Sequence, residues 1–275
     1  MKYILFDKRI INVSILFIAA YSIIHLLYLF IVFVCADYID AQEIKVYFSY
    51  VSYDISTFTD WTRMKIVILY GLPSFLMLTL AGVFYVAMES FSFAKSARQK
   101  LFCLWLILIS LSFTISSLVS APFSRQSIAI VAEWFYFKRE LTFGISLFFW
   151  ASIPLVAYFS SKSFMKLANS REYILTKWTR LIFLLKNILL PFSIGSVFFS
   201  FLIISAPGYT ITHYFKYDFM RFVVLLIILL FVFWFNFHKR YIGIKRTKDL
   251  EYLSIPMLIF MVIVLTTVYL GLFFT

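Results

Sequence analysis

The stretch LIFLLKNILLPFSIGSVFF, residues 181–199, is apolar enough to cross a lipid bilayer as a helix. It nevertheless carries a lysine and an asparagine side by side, Lys186 and Asn187, followed by Pro191 and Gly195. Because proline lacks a backbone N–H, the carbonyl of Asn187 loses its helical partner, and Gly195 one turn later loosens the helix further. The sequence therefore predicts a broken helix. Broken helices with polar side chains form the binding sites of many transporters near the middle of the membrane.

Lys186 has a second interpretation, in which it is an anchor near the membrane edge. It lies about five residues inside the predicted span, which is roughly 8 Å at the rise of an α-helix. A lysine stem can carry its ammonium group back over most of that distance to the headgroups. We favour this interpretation. The alternative is a polar site in which Lys186, Asn187 and the nearby Ser193 contact a solute.

The composition outside this stretch fits the same class of protein. Hydrophobic residues make up 63% of the 275 residues and charged residues 14%, whereas a soluble domain is about half apolar and about a quarter charged. The apolar runs are continuous over about 20 residues, while a membrane β-barrel shows alternating segments of about ten. The sequence therefore predicts an all-α, polytopic helical bundle in a membrane.

The apolar runs predict one transmembrane domain with seven spans and no soluble domain. The predicted spans are 10–35, 66–88, 101–121, 141–161, 181–205, 221–237 and 254–274.

The net charge of +12 is distributed unevenly between the connections. The N-terminal segment and every second connection hold sixteen Lys and Arg residues, and the other connections hold eight. Cytoplasmic connections are the basic ones in membrane proteins. The pattern therefore predicts a cytoplasmic N-terminus and an outside C-terminus, in the cytoplasmic (inner) membrane of a bacterium. Membrane topology explains the charge, so we expect no nucleic-acid partner.

Known catalytic and cofactor motifs are missing. The histidines, His25, His213 and His238, are too far apart for a zinc-binding H-E-x-x-H helix. There is no phosphate-binding G-x-x-x-x-G-K-[ST] loop, and glycine is too sparse for a dinucleotide fingerprint. The sequence predicts no catalytic residue, no metal ligand and no cofactor.

Two further spans carry polar side chains. Ser110, Thr114 and Ser117 share one face of the third span, either to let helices pack closely or to line a polar path. His25 lies between Tyr21 and Tyr28 on one helix face. We expect it to be bonded to a tyrosine, with a proton relay as the alternative, because imidazole titrates near neutral pH.

The outer connections are rich in aromatic residues. The connection 36–65 contains an aromatic-rich stretch that ends at Trp61, and we expect this stretch to be an interfacial lid or a binding surface for a lipid or a partner chain. The connection 122–140 is too apolar for a free loop and predicts a re-entrant or in-plane helix. There we expect Glu133 to be the deepest acid, paired with Arg125 or Lys138.

The inner connections are basic. The connection 162–180 predicts an in-plane helix with an apolar stripe of Leu167, Ile174 and Trp178. The polybasic segment 238–248 predicts contact with anionic lipid headgroups on the cytoplasmic side. Its basic residues are Lys239, Arg240, Lys245, Arg246 and Lys248.

Three functional hypotheses follow in order. The first is a non-enzymatic subunit or scaffold of a membrane complex, whose partners are the bilayer and other membrane subunits or further copies of itself. The second is a small transporter or channel centred on the broken fifth span. The third is a membrane-embedded enzyme that acts on lipid or peptide. It is ranked last because only Glu133, His25 or His213 could supply an acid or base.

Overall fold

The computed structural model describes residues 8–47, 50–54, 61–90, 96–124, 127–168, 175–204 and 218–238. The helices are α1 (Lys8–Tyr38), α2 (Arg63–Ile66), α3 (Leu72–Ser90), α4 (Ala97–Ser120), α5 (Ile128–Trp134), α6 (Arg139–Met165), α7 (Lys177–Leu184), α8 (Leu190–Ile204) and α9 (Phe219–His238). Two strands, β1 (Gln42–Val46) and β2 (Val51–Asp54), follow α1. Single π-helical turns, Val67–Gly71 and Leu185–Leu189, join α2 to α3 and α7 to α8.

The described residues contain six helical stretches long and apolar enough to cross a membrane. This confirms the prediction of a predominantly helical membrane protein. Each stretch overlaps one of the first six predicted spans, with ends displaced by up to several residues. The seventh predicted span, 254–274, lies outside the described residues, as do His213 and the polybasic segment 238–248 beyond His238.

Ring contacts show that α1 and α4 run in the same direction. Phe17 meets Trp105 with ring centroids 4.8 Å apart, and further along both helices Tyr28 meets Phe113 at 5.1 Å. Residue numbers therefore increase in the same direction along α1 and α4, so the two helices are parallel. Because α1 is followed by the strands, we call this end of the bundle the hairpin end and the opposite end the Arg9 end.

The other long helices alternate in direction. Ser146, early in α6, bonds to the carbonyl of Val119 at the end of α4, and Phe164, late in α6, meets Trp105 early in α4. So α6 is antiparallel to α4. Equivalent contacts make α3 and α9 antiparallel to α4, and α8 parallel to α1. Successive spans thus cross the bundle in opposite directions, as a membrane topology requires.

α4 is the central helix of the bundle. In its most apolar stretch 78% of the residues are buried, compared with 17% in α6. Its indole side chain Trp105 is fully buried between Phe17 and Phe164, in edge-on contacts that aromatic rings favour. The core is therefore centred on α4, and α6 lies at the periphery.

The predicted break in the fifth span is wrong. α7, the π-turn and α8 form one continuous helical stretch, Lys177–Ile204. The π-turn ends two residues before Pro191, and the other π-turn ends two residues before Pro73. A wider turn absorbs the missing N–H and the bulk of the proline ring without ending the helix.

Gly195 also has a packing role and does not loosen the helix as we expected. A Cβ atom placed on it would lie 2.2 Å and 2.5 Å from two atoms of the Phe17 ring. The missing side chain is what allows α8 to approach α1. Small residues commonly serve this purpose between membrane helices.

The strands form an antiparallel hairpin that the sequence analysis did not predict. Gln42 is paired with Asp54 and Val46 with Val51, with an irregularity between Gln42 and Lys45. The hairpin covers a small second cluster of buried residues, Cys35, Ala36, Ile39 and Leu69. Its strands contain Val46, Val51 and Tyr53, residue types that favour strands.

The connection 122–140 contains a shorter helix than predicted. α5 spans only Ile128–Trp134, because a turn follows it and α6 begins at Arg139. α5 packs on the π-turn that precedes α3: the Ser127 hydroxyl donates to the carbonyl of Tyr70 at 3.2 Å.

The single in-plane helix predicted for 162–180 is wrong. Its first residues belong to α6, and its last residues belong to α7, which is capped by Thr176. Leu167 is buried in the core, whereas Trp178 is exposed, so these two do not form one stripe. Ile174 lies outside the described residues. A capping box of Thr176 and Thr179 instead starts α7 at Lys177.

Candidate functional site

The Asn187 amide is the centre of a buried polar contact at the Arg9 end. Asn187 Oδ1 accepts a hydrogen bond from Arg9 Nε at 2.8 Å, and its Nδ2 donates to the carbonyl of Phe183 at 2.6 Å. The Arg9 guanidinium carbon also lies 5.2 Å from the centroid of the Phe183 ring. Both Arg9 and Asn187 are buried, so this contact holds the start of α1 against the junction of α7 and α8.

The structure separates the members of the predicted site in the fifth span. Asn187 is buried, Lys186 is half-buried on the same π-turn, and Ser193 is exposed. The amide that was expected to face a solute has both of its polar atoms bonded within the protein. The cation it contacts is Arg9, not Lys186.

Ser110, Thr114 and Ser117 lie at the interface between α4 and α3. Thr114 donates to the carbonyl of Ser74 at 2.9 Å, and the hydroxyls of Ser74 and Ser117 are 3.1 Å apart. Ser110 is fully buried in the same row. These bonds join α3 and α4 next to Pro73. They correspond to the first of the two alternatives for this face, in which it lets helices pack closely.

His25 is buried among aromatic rings near the middle of α1. It stacks on Tyr21 with ring centroids 6.0 Å apart and meets Phe113 edge-on at 6.4 Å. Tyr21 in turn stacks on Phe222 of α9 at 5.1 Å. The histidine thus lies in an aromatic layer shared by α1, α4 and α9.

Beyond this layer, toward the hairpin end, lies a charged group that sequence analysis missed. Arg221 forms an ion pair with Asp218 one turn earlier in the chain, and both side chains are largely buried. The Arg221 guanidinium carbon is 4.0 Å from the centroid of Phe113 and 4.8 Å from that of Tyr28. Cations are attracted to the faces of aromatic rings. One arginine therefore joins α9 to both α1 and α4.

Glu133 is not the deepest acid. It is exposed, and no ion pair joins it to Lys138 within the described residues. The buried carboxylate is that of Asp218, which was placed in a connection because it precedes the apolar run. The spacing Asp218–Arg221 is the i, i+3 spacing of a helical ion pair, and this signal could have identified it. Arg125 lies outside the described residues.

Trp61 is half-buried at the hairpin end. It packs on the small cluster beneath the hairpin and meets Trp134 with ring centroids 6.4 Å apart. In the hairpin turn Tyr50 stacks on Tyr47, and burial, with a smaller effect of Tyr47, raises the pKa of Tyr50.

The described residues offer no metal site and no disulfide. Among the described residues no group of three His, Cys, Asp or Glu side chains could hold a metal ion. Cys35 and Cys103 are buried free thiols. Comparisons with protein-family models, with curated proteins and with solved structures found no match.

Proposed function

We propose that this chain is a non-enzymatic membrane component, a subunit or scaffold that packs against other membrane spans. The observation that carries the proposal is the environment of Asn187. Both polar atoms of its amide are bonded within the protein, to Arg9 and to the carbonyl of Phe183. The Asn187 amide thus stabilises the bundle, as structural polar contacts between membrane helices do.

The peripheral position of α6 supports the same function. Half of its apolar residues are exposed, including Phe148 and Phe159. α6 also carries Pro154 within the helix and is flanked by basic residues at its Arg9 end, Lys162 and Lys166. Among the candidate spans of the described residues, α6 has the smallest buried share, so a span of another subunit, or of a second copy, could pack on its exposed face.

The proposal includes an orientation. Among the described residues, basic side chains clearly outnumber acidic ones at the Arg9 end, where Glu89 is the acid, whereas the two kinds are nearly balanced at the hairpin end. Under the positive-inside rule the Arg9 end faces the cytoplasm. A bacterial inner membrane is the membrane for which this arrangement is proposed.

Photo-crosslinking in the native membrane tests the proposal. Benzoylphenylalanine replaces Phe148 or Phe159 on α6, and for comparison Phe201, which is equally exposed on α8. We expect protein adducts from the α6 positions, either with another polypeptide or at the mass of a dimer. Adducts with lipid alone from both α6 positions would contradict a subunit or scaffold function.

The π-turn favours a second function, a small transporter or channel. π-turns within α-helices are frequent at functional sites, and Leu185–Leu189 contains both Lys186 and Asn187. The chain reconstituted in liposomes would then pass ions or protons. The test is a flux of this kind that disappears in Lys186→Leu and remains in Lys162→Leu.

A further inference from the structure

The turn between α5 and α6 presents four consecutive aromatic side chains to the outside. We call residues 134–137 the aromatic turn; they are Trp134, Phe135, Tyr136 and Phe137. Tyr136 is 82% exposed, more than any other large hydrophobic side chain in the described part of the molecule. This aromatic surface is accessible to lipid or to another molecule.

The backbone of the aromatic turn is held in a defined shape. The N–H groups of Phe135, Tyr136 and Phe137 donate to carbonyls of α5 at 3.1, 3.0 and 2.9 Å. Tyr136 has a φ of 56°, a left-handed conformation that is uncommon for a tyrosine. These bonds hold the backbone of the turn against α5, so the exposed rings project from a backbone of defined conformation.

Basic side chains surround the exposed rings. The Arg63 guanidinium carbon lies 5.7 Å from the ring centroid of Phe135 and 5.8 Å from that of Tyr136. Lys138 and Arg139 follow the turn directly and are exposed. Two exposed acids, Glu133 and Glu140, flank them and limit the net charge of the surface.

The aromatic turn lies at the level where the helices end. It precedes α6 at the hairpin end, and two other strongly exposed rings, Phe123 and Tyr38, lie at the ends of α4 and α1 on the same side. Aromatic side chains concentrate at the headgroup level of a bilayer. Arginine binds phosphate through paired hydrogen bonds.

We propose that the aromatic turn, with Arg63 and Arg139, is a binding site for the phosphate of an anionic phospholipid in the leaflet at the hairpin end. The rings enter the region between headgroups and acyl chains, and the guanidinium groups contact the phosphate. This site is separate from the polybasic segment 238–248, for which the sequence predicts contact with headgroups on the cytoplasmic side. It depends on the membrane spans and not on the subunit function.

A lipid-quenching experiment on the full chain in nanodiscs tests the site. A fluorophore is attached at Met64→Cys, which is exposed next to Arg63, in a Cys35→Ala and Cys103→Ala background. The nanodiscs contain phosphatidylcholine and an equal fraction of either brominated phosphatidylglycerol or brominated phosphatidylcholine. We expect the anionic lipid to quench more strongly, through a local enrichment of up to about fivefold per basic side chain.

Variants separate this site from general charge attraction. Arg63→Gln with Arg139→Gln should remove the difference between the two lipids, whereas Arg63→Lys with Arg139→Lys should retain part of it. Lys162→Gln with Lys166→Gln, at the opposite end of α6, should leave it unchanged.

Three results would overturn the proposal. These are equal quenching by both lipids in the unsubstituted protein, a difference that survives the two glutamine substitutions, and no quenching by either lipid. The last result would mean that another protein, or water, covers the aromatic turn.

Discussion

Arg221 of α9 stacks on Phe113 of α4, with its guanidinium carbon 4.0 Å from the ring centroid. The same guanidinium lies 4.8 Å from the ring centroid of Tyr28 in α1 and is paired with Asp218. Three helices that are far apart in the sequence meet at this one cation. Its charge is compensated by a carboxylate of its own helix and by the faces of two rings.

The first prediction concerns this ion pair. Asp218→Asn should lower the free energy of unfolding by about 3 kcal/mol, because it leaves the guanidinium buried beside a neutral group. Asp218→Leu with Arg221→Met should cost less than Asp218→Asn alone, since it removes both charges together. Thermal unfolding in detergent shows which of the two variants is more stable. A double variant that is less stable than Asp218→Asn would show that the cation–ring contacts contribute more than the ion pair.

The second prediction concerns the approach of α8 to α1. Gly195→Ala should destabilise the protein by about 1–3 kcal/mol, because the added Cβ would overlap the buried ring of Phe17. Gly82→Ala is the matched control, because nothing lies within 4 Å of its added Cβ. It should not destabilise the protein, since alanine has a higher helix propensity than glycine. Unfolding temperatures compare the two. Phe17→Leu should rescue part of the loss in Gly195→Ala, and a lack of rescue would contradict the contact.

The third prediction distinguishes the two neighbouring polar residues of the fifth span. Asn187→Leu should destabilise the protein by at least about 1–3 kcal/mol, because it leaves Arg9 Nε without its acceptor. Lys186→Arg should be tolerated and Lys186→Leu should have a small effect, as expected for an anchor at the membrane edge. Unfolding in detergent and the amount of protein in the membrane measure these effects. If Lys186→Arg abolishes complex assembly or ion flux while the protein accumulates normally, Lys186 is the centre of a functional site.

The fourth prediction concerns orientation in the membrane. Gln42→Cys in the hairpin should react with an impermeant thiol reagent added to intact cells, and Lys166→Cys at the Arg9 end should react only after the membrane is opened. Both positions are exposed, and the background carries alanine at Cys35 and Cys103, which are buried. The reverse pattern of labelling would place the N-terminus outside.

The sequence by itself determined the class of the molecule. Continuous apolar runs require helices in a membrane, because each backbone polar group must be bonded within its own segment. For the same reason the first six predicted spans coincide with helices, and only their ends differ. Helix ends depend on caps such as the Thr176 capping box, a local signal that hydropathy does not contain.

Tertiary structure decided what the polar residues do. The sequence drew attention to Lys186 and His25 because they interrupt apolar runs, and to Gly195 and Pro191 because they weaken helices. It did not reveal that Asn187 contacts Arg9, which lies 178 positions away. It also did not reveal that Phe17 occupies the space left by Gly195. Such partners are set by the packing of helices against each other, and hydrophobic periodicity does not specify which helices pack together, because in a membrane nearly every helix face is apolar.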